Sequence, residues 1–227
     1  MKITVLTLFP EFIQPLLNFS IIKRAIQKQF IEINLINFRD FSKDKNKRVD
    51  AYQIGGGEGM VLRLEPIVEC LNSLDKGWKI LLSPQGKTLN QKKVISLTKQ
   101  KHIILVCGHY EGFDERISNF IDEEISIGDY ILTNGEIPAL ILIDAISRLI
   151  DGVIKKESYL NESFQNDLLD YPVYTKPVNY LGYSVPEILL SGNHEKIKEY
   201  RKVQQIEKTK TKRPDLYKKY LRGKKDE

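Results

Sequence analysis

The sequence predicts an α/β protein: a layered domain over roughly residues 1–155, followed by a small, basic, all-α domain. Three features of the chain predict it. Short runs rich in β-branched residues alternate with segments whose apolar residues recur every three or four positions. Several of those runs are apolar at consecutive positions, as strands of a parallel sheet covered on both faces are. Glycine-rich turns follow the later runs, where an open sheet leaves a crevice for a ligand.

In chain order, a strand is expected at 3–8. Its apolar run is stopped by Pro10 and Glu11 after seven residues, too short for a signal segment. Residues 12–29 have helical spacing, and 31–38 return to a strand pattern. The stretch 40–60 is polar and then glycine-rich, too long for an ordinary connection. Its Gly55, Gly56, Gly57 and Gly59 allow close backbone approach to a ligand. Helices follow at 64–74, 90–99 and 137–150, and strands at 78–82, 103–107 and 124–127. Between 151 and 183 the periodicity dissolves, with Pro172 and Pro177, as in a linker. Beyond it, 185–190, 193–207 and 214–221 read as short helices. Ser191-Gly192-Asn193 supplies a helix stop and a new N-cap.

The formal charge of +5 is unevenly spread. Residues 195–227 hold 13 Lys and Arg against 6 Asp and Glu, and the other 194 residues sum to −2. A basic tail of this kind is either a phosphate contact for nucleic acid or a solvated lysine-rich helix. Cys70 and Cys107 are isolated, there is no C-x-x-C, and the only histidines are His102, His109 and His194. Neither a disulfide framework nor a zinc cluster is expected, and a reducing, cytoplasmic setting fits. No apolar stretch approaches the ~20 residues of a membrane helix.

Two glycine turns at strand ends carry the chemistry. In SIGDYILTNGEIPA (126–139) a strand runs through Gly128 and Gly135 into an apolar helix, and HIILVC (102–107) runs into GHYEG. These loops bring Glu111, Asp129 and Glu136 and no Lys or Arg, so they suit a neutral or cationic ligand better than a polyphosphate. Gly86-Lys87-Thr88 ends like a P-loop, but the required upstream glycine is Leu81. GGGEG does not spell a dinucleotide fingerprint. Cys107 and His109 straddle a strand end and are not expected to form a nucleophile pair.

Taken together, SPQG (83–86), CGHYEGFDER (107–116), SIGDYILTNGEIPA and LLDYPVYTKP (168–177) resemble the bacterial tRNA (guanine-N1)-methyltransferases, a SPOUT-class family dependent on S-adenosylmethionine (AdoMet). The likeness extends to LFPE (8–11), RDFS (39–42), the GGGEGM loop and LLSGNH (189–194), and so spans essentially the whole chain. The resemblance implies a SPOUT-type sheet with a trefoil knot and a homodimer with shared active sites. It divides the chain into a catalytic domain (1–157), a linker carrying the general base (158–176) and a basic helical tRNA-binding domain (177–227).

By the same resemblance AdoMet is held among three loops. The first is Leu82, Ser83, Pro84, Gln85 and Gly86; the second is Gly108, Tyr110, Glu111 and Gly112. The third is Ile127, Gly128, Asp129, Tyr130, Ile131 and Leu132, with Gly135 and Pro138. The implied reaction methylates N1 of the guanosine immediately 3′ of the tRNA anticodon, with Asp170 as general base. A carboxylate is a weaker base than the guanine N1 anion by about five pK units, or roughly 7 kcal/mol. Charge developing on O6 therefore needs a positive partner. A one-residue gap in the match leaves both Lys155 and Lys156 as candidates where the family has arginine. Asp50 and Gly59 are implied substrate contacts, and Glu111 is the implied site of a possible Mg²⁺. The partner is tRNA, with no DNA and no membrane. Two departures stand in the matched motifs: Val173 replaces a common histidine, and Asn134-Gly135 replaces a glycine pair.

Overall fold

The computed structural model describes residues 1–160 and 162–223. The expected domain 177–227 thus includes four residues, 224–227, that lie outside the described ones. The chain divides into two units, Met1–Lys155 and Lys156–Glu227.

In the first unit the elements follow in this order: β1 (Lys2–Thr7), α1 (Pro10–Ile13), α2 (Ser20–Gln27), β2 (Glu32–Asn37), β3 (Asp50–Tyr52), β4 (Met60–Leu62), α3 (Leu64–Asn72), β5 (Trp78–Thr88), α4 (Gln91–Leu97), β6 (His102–Val106), β7 (Glu123–Ser126) and α5 (Glu136–Ser147). Five strands form one sheet in the order β2-β1-β6-β5-β7, and every pair in it is parallel. Consecutive residues of a strand point to opposite faces, which is why β6 is apolar from Ile103 to Val106. Ile103 and Leu105 pack with Ile3, Val5 and Ile80 beneath α4 and α5. Ile104 and Val106 pack on the other face with Leu6, Leu81 and the Ile67, Cys70 and Leu71 side of α3. Each such fully buried Leu or Ile contributes about 1.5–3 kcal/mol relative to exposure.

The α/β class and the parallel sheet agree with the expectation, and four local readings are corrected. The helix expected at 12–29 is two helices separated by a 3₁₀ turn, Gln14–Asn18. Pro15 removes a backbone donor there, and Ser20 takes a left-handed φ of 47°. The strand expected to stop at 82 resumes to Thr88. Leu82 and Lys87 both face Ile125, so residues 83–86 loop out between them. The expected loop 40–60 contains the antiparallel hairpin β3–β4. The helix expected at 137–150 spans Glu136–Ser147.

The second unit contains α6 (Lys156–Leu160), strands β8 (Asn179–Tyr180) and β9 (Tyr183–Ser184), a 3₁₀ turn at Glu187–Leu190, α7 (His194–Lys212) and α8 (Pro214–Gly223). It is mainly helical but not all-α, because β8 and β9 pair antiparallel around the left-handed Leu181-Gly182. The helix expected at 185–190 is only the 3₁₀ turn. Asn193 accepts from Lys196 N–H at 3.1 Å, the cap that Ser191-Gly192-Asn193 predicts for α7. No helix among the described residues is long and apolar enough to cross a membrane.

Candidate functional site

The bulge within β5 and the loops that follow β6 and β7 meet at one cavity of 460 Å³. That volume lies within the range of small-molecule sites. Residues 82–85 of the first loop line it, with Gly108, Tyr110, Glu111 and Gly112 of the second. Ile127, Gly128, Tyr130, Ile131, Leu132, Gly135 and Pro138 come from the third. Gly86 and Asp129 lie outside the lining. Gly86 instead sits under β7, where an added Cβ would fall 2.4 Å from the Ile125 nitrogen. Asp129 is exposed at the turn after Gly128.

The second and third loops touch backbone to backbone. Gly135 N–H donates to the Gly108 carbonyl at 2.8 Å. A Cβ on Gly135 would lie 2.5 Å from the Gly108 nitrogen, so only glycine admits this approach. Tyr110 has a φ of 58°, a conformation that costs a non-glycine residue energy and recurs at functional sites. The hairpin is tied to the second loop as well. Glu111 N–H donates to Met60 O at 3.0 Å, and Leu62 N–H donates to Gly112 O at 2.9 Å. Gly59 lies beside Glu111, where its Cβ would be 2.6 Å from Glu111 Cγ. Asp50, at the other end of the hairpin, pairs with Leu62.

Glu111 and Glu115 are the carboxylates of the lining together with Glu124, and the described lining holds no Lys or Arg. Its basic side chain is His109. Sequence reasoning did not select His109, and it counted Glu136 only as one of the acidic residues facing the ligand, whereas Glu136 lies outside the lining. Glu136 is 1% exposed, and its Oε2 accepts from His109 Nε2 at 2.9 Å. Its Oε1 accepts from the Thr7 hydroxyl. The signal available beforehand was an acidic residue opening an otherwise apolar helix. Cys107 is buried with no part in this network, and burial pushes its thiol well above its ordinary value. Arg116 forks onto Asp114 at 2.6 and 2.8 Å, not onto Glu115.

Among the described residues no group of three His, Cys, Asp or Glu side chains is gathered that would hold a metal ion. Glu111 is not part of such a group.

Asp170 belongs to the second unit, on a segment fixed at both sides. Its N–H donates to Ser163 Oγ at 2.9 Å, and its Oδ1 accepts from Tyr171 N–H at 2.7 Å. The preceding Leu169 N–H donates to Thr209 Oγ1, 2.9 Å away on α7. Thr209 is fully buried, and its hydroxyl donates a hydrogen bond to Gln205 O at 2.6 Å. Beside this segment a cavity of 420 Å³ is lined by Tyr171 and by His194, Lys198, Arg201 and Lys202 of α7. The Arg201 guanidinium stacks 4.6 Å over the Tyr171 ring. Lys155 ends the first unit and Lys156 opens the second, both exposed.

Residues 1–219 match the family model described as tRNA (Guanine-1)-methyltransferase TrmD. The chain is 53% identical over 219 residues to the tRNA (guanine-N(1)-)-methyltransferase of Mycoplasmopsis synoviae, covering 95% of this chain and 96% of that one. It is 54% identical over 224 residues to the protein of that name from Malacoplasma penetrans, covering 98% and 99%. With that of Ruminiclostridium cellulolyticum it shares 51% identity over 226 residues, covering 96% and 97%. By near full-length likeness to relatives of one name, and by the three glycine loops that meet at its cavity, the chain belongs to the tRNA (guanine-1)-methyltransferase family.

Proposed function

We propose that this protein transfers a methyl group from AdoMet to N1 of the guanosine immediately 3′ of the tRNA anticodon. The observation that carries the reading is the cavity where three glycine loops meet, acidic at Glu111 and free of Lys and Arg among its described lining residues. A sulfonium cation is favoured beside carboxylates and backbone carbonyls, whereas a triphosphate is not. The apolar Leu82, Leu132 and Pro138 suit the rest of the donor. AdoMet, when bound, supplies an electrophilic methyl group on that sulfonium.

The chain's own residues supply the rest of the chemistry. Asp170 takes the N1 proton as general base, and Ser163 and Thr209 fix the segment that carries it. Lys155 or Lys156 meets the charge that develops on O6. Lysine is a point donor without the fork of an arginine, so it stabilises that charge through one bond rather than two. Asp50 and Gly59, on a hairpin tied to the second loop, contact the substrate. The basic helical region, residues 177–227, holds tRNA phosphates, and residues 158–176 serve as the linker from the catalytic domain, 1–157.

The reading includes the family's knot and its homodimer with shared active sites. The first rests on the family match. Exposed apolar side chains support the second. Phe9, Phe12, Leu16 and Phe19 stand on the α1 side, and Ile137 and Ile141 on α5. The cytoplasm, where tRNA is found, is the setting.

The test is transfer of labelled methyl from AdoMet to two transcripts differing only in guanosine or adenosine 3′ of the anticodon. Label in the guanosine transcript alone supports the reading. Label in both moves the target elsewhere in the RNA and defeats it.

A further inference from the structure

Thr7, Phe9, His109 and Glu136 form a closed circuit behind the cavity. Phe9 N–H donates to Thr7 Oγ1 at 2.9 Å, and the Thr7 hydroxyl donates to Glu136 Oε1. Glu136 Oε2 receives His109 Nε2 at 2.9 Å, and the His109 ring packs back on Phe9 with centroids 4.8 Å apart. Three separate pieces of chain meet here: the end of β1, the second loop and the first residue of α5. Glu136 follows Gly135 directly, and His109 follows Gly108 directly, so the two side chains bridge the same pair of loops that Gly135 N–H and Gly108 O bridge through the backbone.

A carboxylate that is 1% exposed is costly unless bonded on both oxygens, and here both are used. Its place in the first turn of α5 adds the favourable end of the helix dipole. His109 lines the cavity, whereas Glu136 and Thr7 do not. The His109–Glu136 bond therefore joins the second loop to the start of α5 just behind the lining.

We propose that Glu136 is a positioning residue: acting through His109 and Thr7, it sets the gap between the second and third loops and so the affinity for the methyl donor. This rests on the AdoMet reading of the cavity. Because Glu136 does not face the ligand, its loss weakens AdoMet binding while the loaded enzyme keeps its turnover rate.

The experiment measures AdoMet binding by equilibrium dialysis, with KM for AdoMet and kcat, in the full-length protein and three variants. Glu136→Ala raises Kd and KM about ten-fold or more and leaves kcat at saturating AdoMet within about three-fold. Glu136→Gln offers an oxygen to Thr7 and an amide to the imidazole, and stays within about three-fold of wild type. Thr7→Val removes the hydroxyl away from the cavity and raises Kd in the same direction, even if Glu136→Ala fails to fold. An unchanged Kd in folded Glu136→Ala, or in Thr7→Val, reduces the circuit to a structural one and overturns the proposal. So does a fall in kcat with KM unchanged. Wild-type protein that binds no AdoMet overturns the cofactor reading itself, an outcome distinct from the other two.

Discussion

The amide of Gly135 lies 2.8 Å from the carbonyl of Gly108, and no side chain fits between them. Gly135 has an ordinary φ of −85°, so its requirement for glycine is one of space and not of backbone conformation. Gly135→Ala is expected to cost about 1–3 kcal/mol of stability and to weaken AdoMet binding, since a Cβ would force the two loops apart. Gly192→Ala in the second unit is the control. It meets nothing within 4 Å but holds a φ of 72°, so it costs about 1 kcal/mol and leaves AdoMet affinity unchanged. Urea melts and equilibrium dialysis on both variants separate the effects.

Asp170 is held by Ser163 on one side and by α7 on the other, through the Leu169–Thr209 bond. Asp170→Ala is expected to lower kcat by about 10²–10⁴-fold, the usual contribution of a general base, with AdoMet binding intact. Thr209→Val is expected to lower the rate less, through displacement of the segment, and to cost about 1–3 kcal/mol by leaving the Leu169 amide unpartnered. Single-turnover rates at saturating AdoMet distinguish the two variants.

His102 is a buried imidazole between Thr4 Oγ1, at 2.9 Å, and the Lys76 carbonyl, at 3.3 Å. Burial lowers its pKa below the ordinary 6.5, the Lys76 bond offsets part of that, and Lys2 lowers it further while Asp75 and Glu32 oppose. The unfolded chain therefore binds this proton more readily than the folded one. The stability contributed is fully present above pH ~6.5 and is lost as pH falls toward the lowered folded-state value. Urea midpoints measured between about pH 8 and pH 5 should fall on the acid side. His102→Gln should flatten that part of the curve.

Both cysteines are fully buried. Burial, reinforced by Asp40, pushes the Cys70 thiol up to about 12, and Cys107 also lies well above its ordinary value. A thiolate-specific reagent at mildly alkaline pH should titrate almost no thiol in the folded protein and both in urea. Fast labelling of either one in native buffer would contradict this burial.

The sheet was legible because β1 and β6 are apolar at consecutive positions, a pattern that only double-sided burial rewards. The second and third loops were legible through their glycines, and the first through the family motif SPQG. The hairpin β3–β4 was not, since its strands are only three residues long on either side of a glycine-rich turn, and β4 is bonded to the distant second loop as well. The break at Pro15 was readable from proline alone, yet the apolar spacing on both sides argued for one helix. The burial of Glu136 was not legible, because a carboxylate in a turn looks solvated. Its burial follows from Thr7, 129 residues earlier in the chain.

The central claim is the identity of the methylated atom. A methyl on N1 blocks the pairing edge of guanine, so reverse transcription of the treated tRNA halts at that base. The account predicts one new stop, at the guanosine immediately 3′ of the anticodon, present only with both enzyme and AdoMet and lost with Asp170→Ala. Labelled methyl in the RNA with no stop at that guanosine would contradict it.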